Sequence, residues 1–278
     1  MKYLIINADD FGLSPQINRG ICEAFQRGVV TDTSALVCSP YAPPALAMGC
    51  KIGLPMGVHI DFVSPFVNEK RACLGAHGRL VRELFQREYQ KKIGSLFSAQ
   101  ELLLFRDEIR RQVELFASLT GCLPSHLDYH YGLHYLPDVM AIYLLVAEEY
   151  RLPVRWGRQY AGENPTVIAP DHFCDRFRGR KEGGFELFVQ LLDQPWQGVM
   201  EICCHPGYFT PFGLPEESYN VEREYELKTL TDPRLKTEIV RRGIELVNFH
   251  WMSAHYRTLA AETGATQGND GGFSGAGR

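Results

Sequence analysis

The chain opens on an apolar run, Tyr3-Leu4-Ile5-Ile6, that breaks into Asn7-Ala8-Asp9-Asp10-Phe11-Gly12. Short, β-branched at its end and flanked by polar residues, the run predicts a buried strand. Ser14-Pro15 starts a helix, with Ser as N-cap and Pro in the first turn. Ile17, Ile21, Ala24 and Phe25 fall on its buried face, and Gly28 stops it. A strand over 29–39, a short helix over 43–50 and a strand over 56–62 follow. Ser98-Ala99-Gln100-Glu101 is a capping box. It opens a helix carrying Leu102, Phe105, Ile109, Val113 and Phe116 at helical spacing, closed by Gly121. Next come a strand over 124–128, a helix over 137–150 and a strand over 154–156. A helix over 183–192, a strand over 199–205, a helix from Asp232-Pro233 and a closing strand over 244–249 complete the pattern.

This alternation is the pattern of a parallel sheet or barrel. About seven strands are countable, so the expected fold is α/β: a distorted or incomplete, TIM-like (β/α) barrel. At 278 residues the length suits one such barrel, which runs to roughly 250 residues. With no internal repeat or linker, the expectation is a single catalytic domain over 1–264. The Gly-rich tail over 265–278 is too poor in apolar side chains to order. The mixed, charged stretch between 63 and 97 is either a loop over the site or a tolerated surface insertion.

Composition narrows the partners. A net charge of -4 gives no electrostatic case for nucleic acid or acidic membranes, and leaves a small neutral molecule or another protein. No run reaches 18 apolar residues, and the N-terminus enters a strand without a signal-peptide pattern. Eight scattered cysteines include no C-x-x-C pair, which argues against a zinc ribbon. A reduced, cytoplasmic protein is expected.

Chemistry gathers at the strand ends, where barrels carry their active sites. Adjacent ionised carboxylates repel, and burial makes this worse, so Asp9 and Asp10 call for a cation or a shared proton; a solvated turn is the plainer reading. His59, Asp61, Asp128, His130, His134 and His205 fall at further strand ends. Asp10, His59 and His130 would form a three-ligand divalent-metal site with open positions. The metal would acidify a water and polarise a carbonyl. Asp9 then serves as general base and His205 as the acid for a leaving amine, a set suited to amide or ester hydrolysis. Asp128 and Asp61, each two residues from a histidine, suit orientation of an imidazole. His134 could be a ligand, an orienter or a surface residue, while His77 and His126 are read as structural. Tyr131, Trp156 and Tyr208 belong to an aromatic set able to stack on sugar rings, with interior packing as the alternative.

At these residues the sequence resembles the YdjC-like carbohydrate deacetylases, the family that includes chitooligosaccharide deacetylases. The matching pieces are Asn7 to Gly12, Gly28-Val29-Val30-Thr31 with Thr33-Ser34, Gly57-Val58-His59, His126-Leu127-Asp128-Tyr129-His130, and Glu201 to Gly207. They run in order over most of the chain. The resemblance implies a dimeric, divalent-metal enzyme that removes acetyl groups from N-acetylated amino sugars or short oligosaccharides. It implies Asp10, His59 and His130 as ligands and Asp9 as base. The family is associated with magnesium, whereas two imidazoles favour zinc. Two departures stand out: Gly132 replaces the middle histidine of the family's Asp-x-His-x-His-x-His block, and Asp61 replaces an uncharged residue. The alternatives are another metal-dependent amidohydrolase or phosphodiesterase on the same barrel, or a sugar-binding barrel without catalysis.

Overall fold

The structure, a computed structural model, describes residues 1–63, 80–87, 97–155, 167–177, 179–210 and 219–267. Every ladder in it is parallel. The central strand β1 (Lys2–Phe11) pairs along its length with β6 (Gly198–Cys204), and on its other side with β2 (Asp32–Ala35) near its end and β7 (Ile244–Leu246) near its start. β3 (Met56–Ile60) and β4 (Leu127–Tyr129) continue the sheet beyond β2, and β5 (His172–Cys174) lies outside β6. The two edges approach each other through single contacts. Val154 forms an isolated bridge with Leu127 of β4 and donates its N–H to the Ile168 carbonyl. The sheet therefore curls into a distorted barrel, as the sequence pattern predicts.

Helices α1 (Pro15–Arg27), α2 (Ala42–Ile52), α3 (80–87), α4 (Ala99–Thr120), α5 (Pro137–Tyr150), α6 (Gly184–Leu192), α7 (Val221–Leu230) and α8 (Pro233–Arg241) follow the strands, and α9 (Phe249–Gln267) closes the chain. The predicted caps form. Ser14 Oγ accepts the Ile17 N–H, and Ser98 and Glu101 make a reciprocal capping box. Among the described residues no helix is long and apolar enough to cross a membrane.

Two expected elements differ. Of the strand expected over 154–156, the described residues Val154 and Arg155 give a bridge at Val154, while Trp156 lies outside the described residues; the described strand that completes the count is His172–Cys174, which at three residues is too short to carry a period of its own. The closing strand ends at Leu246, because Asn248 Oδ1 accepts the Trp251 N–H and turns the chain into α9. That helix runs to Gln267, past the start of the expected tail; residues 268–278 lie outside the described residues. Within the expected 63–97 excursion, 80–87 is helical.

Alternation along the strands sorts side chains into two sets. Leu4, Ile6 and Ala8 of β1 join the large core beneath the helices, whereas Ile5 packs with Val199, Val247, Phe249 and Met252 in a separate apolar plug. Asn7 and Asp9, on the same side as Ile5, begin a buried polar layer with Asp32, Ser34, His126, Asp128 and Glu201. The start of α9 joins plug to layer: Phe249 stacks on His126 with ring centroids 3.8 Å apart and donates its N–H to Asp32 Oδ2 at 2.8 Å. Gly57 makes room for that ring, since a Cβ there would lie 2.4 Å from His126 Cε1.

Candidate active site

In a regular strand Asp9 and Asp10 would point to opposite faces. Here the β1–β2 register shifts between Ala8 and Phe11, and Asp10 takes a left-handed φ of 74°. That conformation is strained for a residue with a Cβ and is common at functional sites. It brings both carboxylates to one cavity of about 290 Å³ at the C-terminal ends of the strands. His59 enters from β3, Tyr129, His130 and Tyr131 from the end of β4, His205 from the end of β6, Tyr219 from the residues just before α7, and Arg223 from α7.

Three donor atoms converge. Asp10 Oδ1 lies 3.5 Å from His59 Nε2 and 3.3 Å from His130 Nδ1, and the two ring nitrogens are 3.2 Å apart. Donors around one tetrahedral zinc at 2.0–2.1 Å sit about 3.3 Å from one another; an octahedral magnesium at 2.0–2.1 Å spaces neighbouring donors about 3 Å apart. The triangle therefore fits a divalent ion of either kind. Asp10 Oδ1 is buried with no hydrogen-bond partner, while Oδ2 accepts from Arg223 Nη2 at 2.7 Å. An orphaned carboxylate oxygen facing two imidazole nitrogens is a donor set shaped for a cation.

The surroundings orient these donors. His59 Nδ1 lies 2.7 Å from Asp128 Oδ1, which turns Nε2 toward Asp10 and His130. His130 is fixed by its N–H, which donates to the Ile60 carbonyl at the end of β3. Tyr131, at a φ of 59°, sets its ring edge-on to His130 at the cavity mouth.

Beside this triangle lies the Asp9 corner. Arg155 clamps it, Nη1 to Oδ2 at 2.7 Å and Nη2 to Oδ1 at 2.6 Å, while Arg155 Nε reaches Glu201 at 2.7 Å and Nη2 is 3.1 Å from Asp128. Asp9 Oδ2 is 3.9 Å from both His59 Nε2 and His205 Nε2. His205 is anchored by its N–H, which donates to the buried Glu226 carboxylate at 2.5 Å.

Charge follows this geometry. Burial opposes ionisation of all three aspartates, yet neighbouring cations win. Arg155 holds Asp9 below its usual value, Arg223 and His130 hold Asp10 well below it, and His59 and Arg155 do the same for Asp128. Burial also opposes a charged His59, but Asp128, Asp9 and Asp10 raise its pKa to about 9. Burial pushes Glu201 up to about 7 despite Arg155.

Other expected residues sit elsewhere. The Asp61 carboxylate accepts the Val63 N–H, and its backbone is held by Gln112 of α4, outside the cavity lining. The Tyr208 hydroxyl donates to Glu23 beneath the Arg19 guanidinium, also outside the lining. His134 falls in the short turn Leu133–Tyr135, and its side chain lies outside the described residues, as do His77 and Trp156. His126 is fully buried between Ser125, Asp32 and Phe249, the structural place expected of it. Arg155, Tyr219 and Arg223 escape the sequence reading, because nothing near the arginines in sequence marks them as partners of distant carboxylates; Glu201 falls in a matching piece but without an assigned role.

The family model described as YdjC-like protein matches residues 3–241. This chain belongs to the YdjC-like family. It is 32% identical over 261 residues to a carbohydrate deacetylase of Geobacillus stearothermophilus, covering 89% of this chain and 97% of that one. It is 35% identical over 257 residues to a chitooligosaccharide deacetylase of Serratia marcescens, covering 89% and 98%. Among solved structures, a protein of Enterococcus faecalis provisionally described as a cellobiose-phosphate cleavage protein superposes with a TM-score of 0.75 at 29% identity, over 90% of this chain and 98% of that one. A lactam utilization protein of Thermus thermophilus shares the fold, with a TM-score of 0.51 at 13% identity over 89% of this chain and all of that one.

Proposed function

We propose that this YdjC-like chain hydrolyses the acetamide of an N-acetylated sugar or short oligosaccharide, with Asp10, His59 and His130 holding a divalent ion. The observation that carries the reading is the buried Asp10 Oδ1, which has no hydrogen-bond partner and faces the two imidazole nitrogens at 3.5 Å and 3.3 Å. The names of the Geobacillus and Serratia relatives supply the reaction and substrate class.

The bound ion supplies Lewis acidity toward the acetyl carbonyl and lowers the pKa of water. Asp9 is the base that receives the water proton through Oδ2. Its clamp by Arg155 keeps it ionised and fixes its direction. His205 donates a proton to the departing amine nitrogen as the amide C–N bond breaks, leaving acetate and the free amino sugar. The Glu226 contact to its backbone holds it at the rim opposite His59 and His130. Tyr131 and Tyr219 line the cavity and offer faces for a pyranose ring.

Both magnesium and zinc suit the triangle's spacing, and the two imidazoles favour the latter. No disulfide joins the seven described cysteines, which suits a reducing cytoplasm, and we extend the proposal to a homodimer there, checked by light scattering. The Enterococcus relative's name favours a second reading, cleavage of a phosphorylated disaccharide at the same site. Incubation with N-acetylglucosamine oligomers and with phosphorylated disaccharides separates the two: the proposal expects acetate, and cleavage of the phosphorylated disaccharide with no acetate from the oligomers overturns it.

A further inference from the structure

The corner beside the triangle holds a second set of donors. Asp9, Cys203 and His205 each place a carboxylate oxygen, a thiol sulfur or a ring nitrogen within 4.8 Å of the other two. Cys203 is the residue of β6 that pairs with Asn7, and it lies two positions after Glu201, so both project toward the polar layer. His205 follows on the same strand end with its side chain 20% exposed, and Asp9 and His205 both line the cavity, which gives an ion a route in.

We propose that Asp9, Cys203 and His205 form a second cation site, selective for thiophilic dications such as zinc or cadmium, and that filling it silences the enzyme. The thiol sets the selectivity: sulfur donors favour zinc and cadmium, whereas magnesium takes oxygen. On binding, the Cys203 S–H bond breaks, its proton passes to solvent and the thiolate bonds to the ion. Silencing follows because the ion occupies the Asp9 lone pair and the His205 nitrogen on which turnover depends. That consequence rests on the function proposed above; the binding itself does not.

Cadmium titration of the metal-free protein tests the binding. The wild type should take up two ions per chain, one giving a thiolate-to-cadmium charge-transfer absorption. Cys203→Ser should lose that absorption and bind one ion, and His205→Ala should weaken the ion that gives it at least tenfold. An absorption that persists in Cys203→Ser comes from another thiol and overturns the proposal, as does its absence from the wild type. If Cys203→Ser fails to fold, Cys203→Ala carries the same test. Acetate release then reads the inhibition. Zinc in excess of one equivalent should lower the wild-type rate at least tenfold and leave Cys203→Ser within twofold of its own rate; equal inhibition of both overturns the silencing claim. If no substrate releases acetate, the function proposed above fails while the cadmium result still decides the site.

Discussion

The Asp128 carboxylate stands 2.7 Å from His59 Nδ1 and also accepts from Asn7 Nδ2 at 3.3 Å, with neither residue reaching solvent. One buried acid thus fixes which nitrogen of His59 faces the cavity. Asp128→Asn removes the charge that steadies the imidazole while keeping the shape. Metal affinity should fall about 10- to 100-fold, read by calorimetric titration with zinc. Unchanged affinity would show that Asp128 serves only the fold.

Asp9→Asn separates binding from turnover. Asp9 is not part of the donor triangle, so the variant should hold one divalent ion at the triangle with affinity within a few-fold of wild type. Loss of a general base should lower the acetate-release rate about 10²- to 10⁴-fold. A variant that keeps full activity would remove Asp9 from the reaction.

Arg155 neutralises three buried carboxylates at once, Asp9, Asp128 and Glu201. Arg155→Met leaves them with no guanidinium between them. The expected cost is roughly 3–5 kcal/mol of stability, measured by urea unfolding in chelator. A cost near zero would mean that the carboxylates protonate or hydrate without strain.

Glu201 gives a pH signature. Its folded pKa of about 7 lies above the 4.5 of an ordinary glutamate. Between these values the folded state binds the proton more tightly than the unfolded state. Its contribution to stability is therefore present below 4.5 and is lost as pH rises to about 7. The metal-free protein should melt at progressively lower temperature across that window, and Glu201→Gln should flatten the trend. An identical slope in both proteins would assign the dependence to other groups.

Gly57→Ala would drive a Cβ to within 2.6 Å of three atoms of the His126 ring, which is already stacked on Phe249 and cannot retreat. Overpacking of this kind costs typically 1–3 kcal/mol. Thermal unfolding should shift downward by several degrees; an unchanged midpoint would mean that the α9 plug yields.

The sequence carried the first half of this account well, for physical reasons. Asp9, Asp10, His59 and His130 each fall at the end of a strand in a parallel α/β pattern, which by itself places them at one rim. Helix α4 announced itself through a capping box and a clean apolar stripe. Helix α7 did not, because its buried face carries Arg223 and Glu226, and a helix that buries charge has no apolar period to read. Arg155 was hidden for a related reason. It follows the one-residue bridge at Val154 and meets Asp9 146 positions away in sequence. Strand β5 is three residues long, and Tyr208 was misplaced because its loop turns the ring toward Arg19 and Glu23 of α1. Short-range pattern finds the donors, whereas their counter-charges come from whichever distant element the fold delivers.

The proposed reaction depends on an ion shared by Asp10, His59 and His130. Acetate release from an N-acetylglucosamine disaccharide, followed before and after chelation and again after restoring one equivalent of zinc or magnesium, tests this most directly. The wild type should lose activity on chelation and regain it with the ion, while His59→Ala should show neither the activity nor the recovery. Turnover that continues undiminished in chelator, or in His59→Ala, would contradict it.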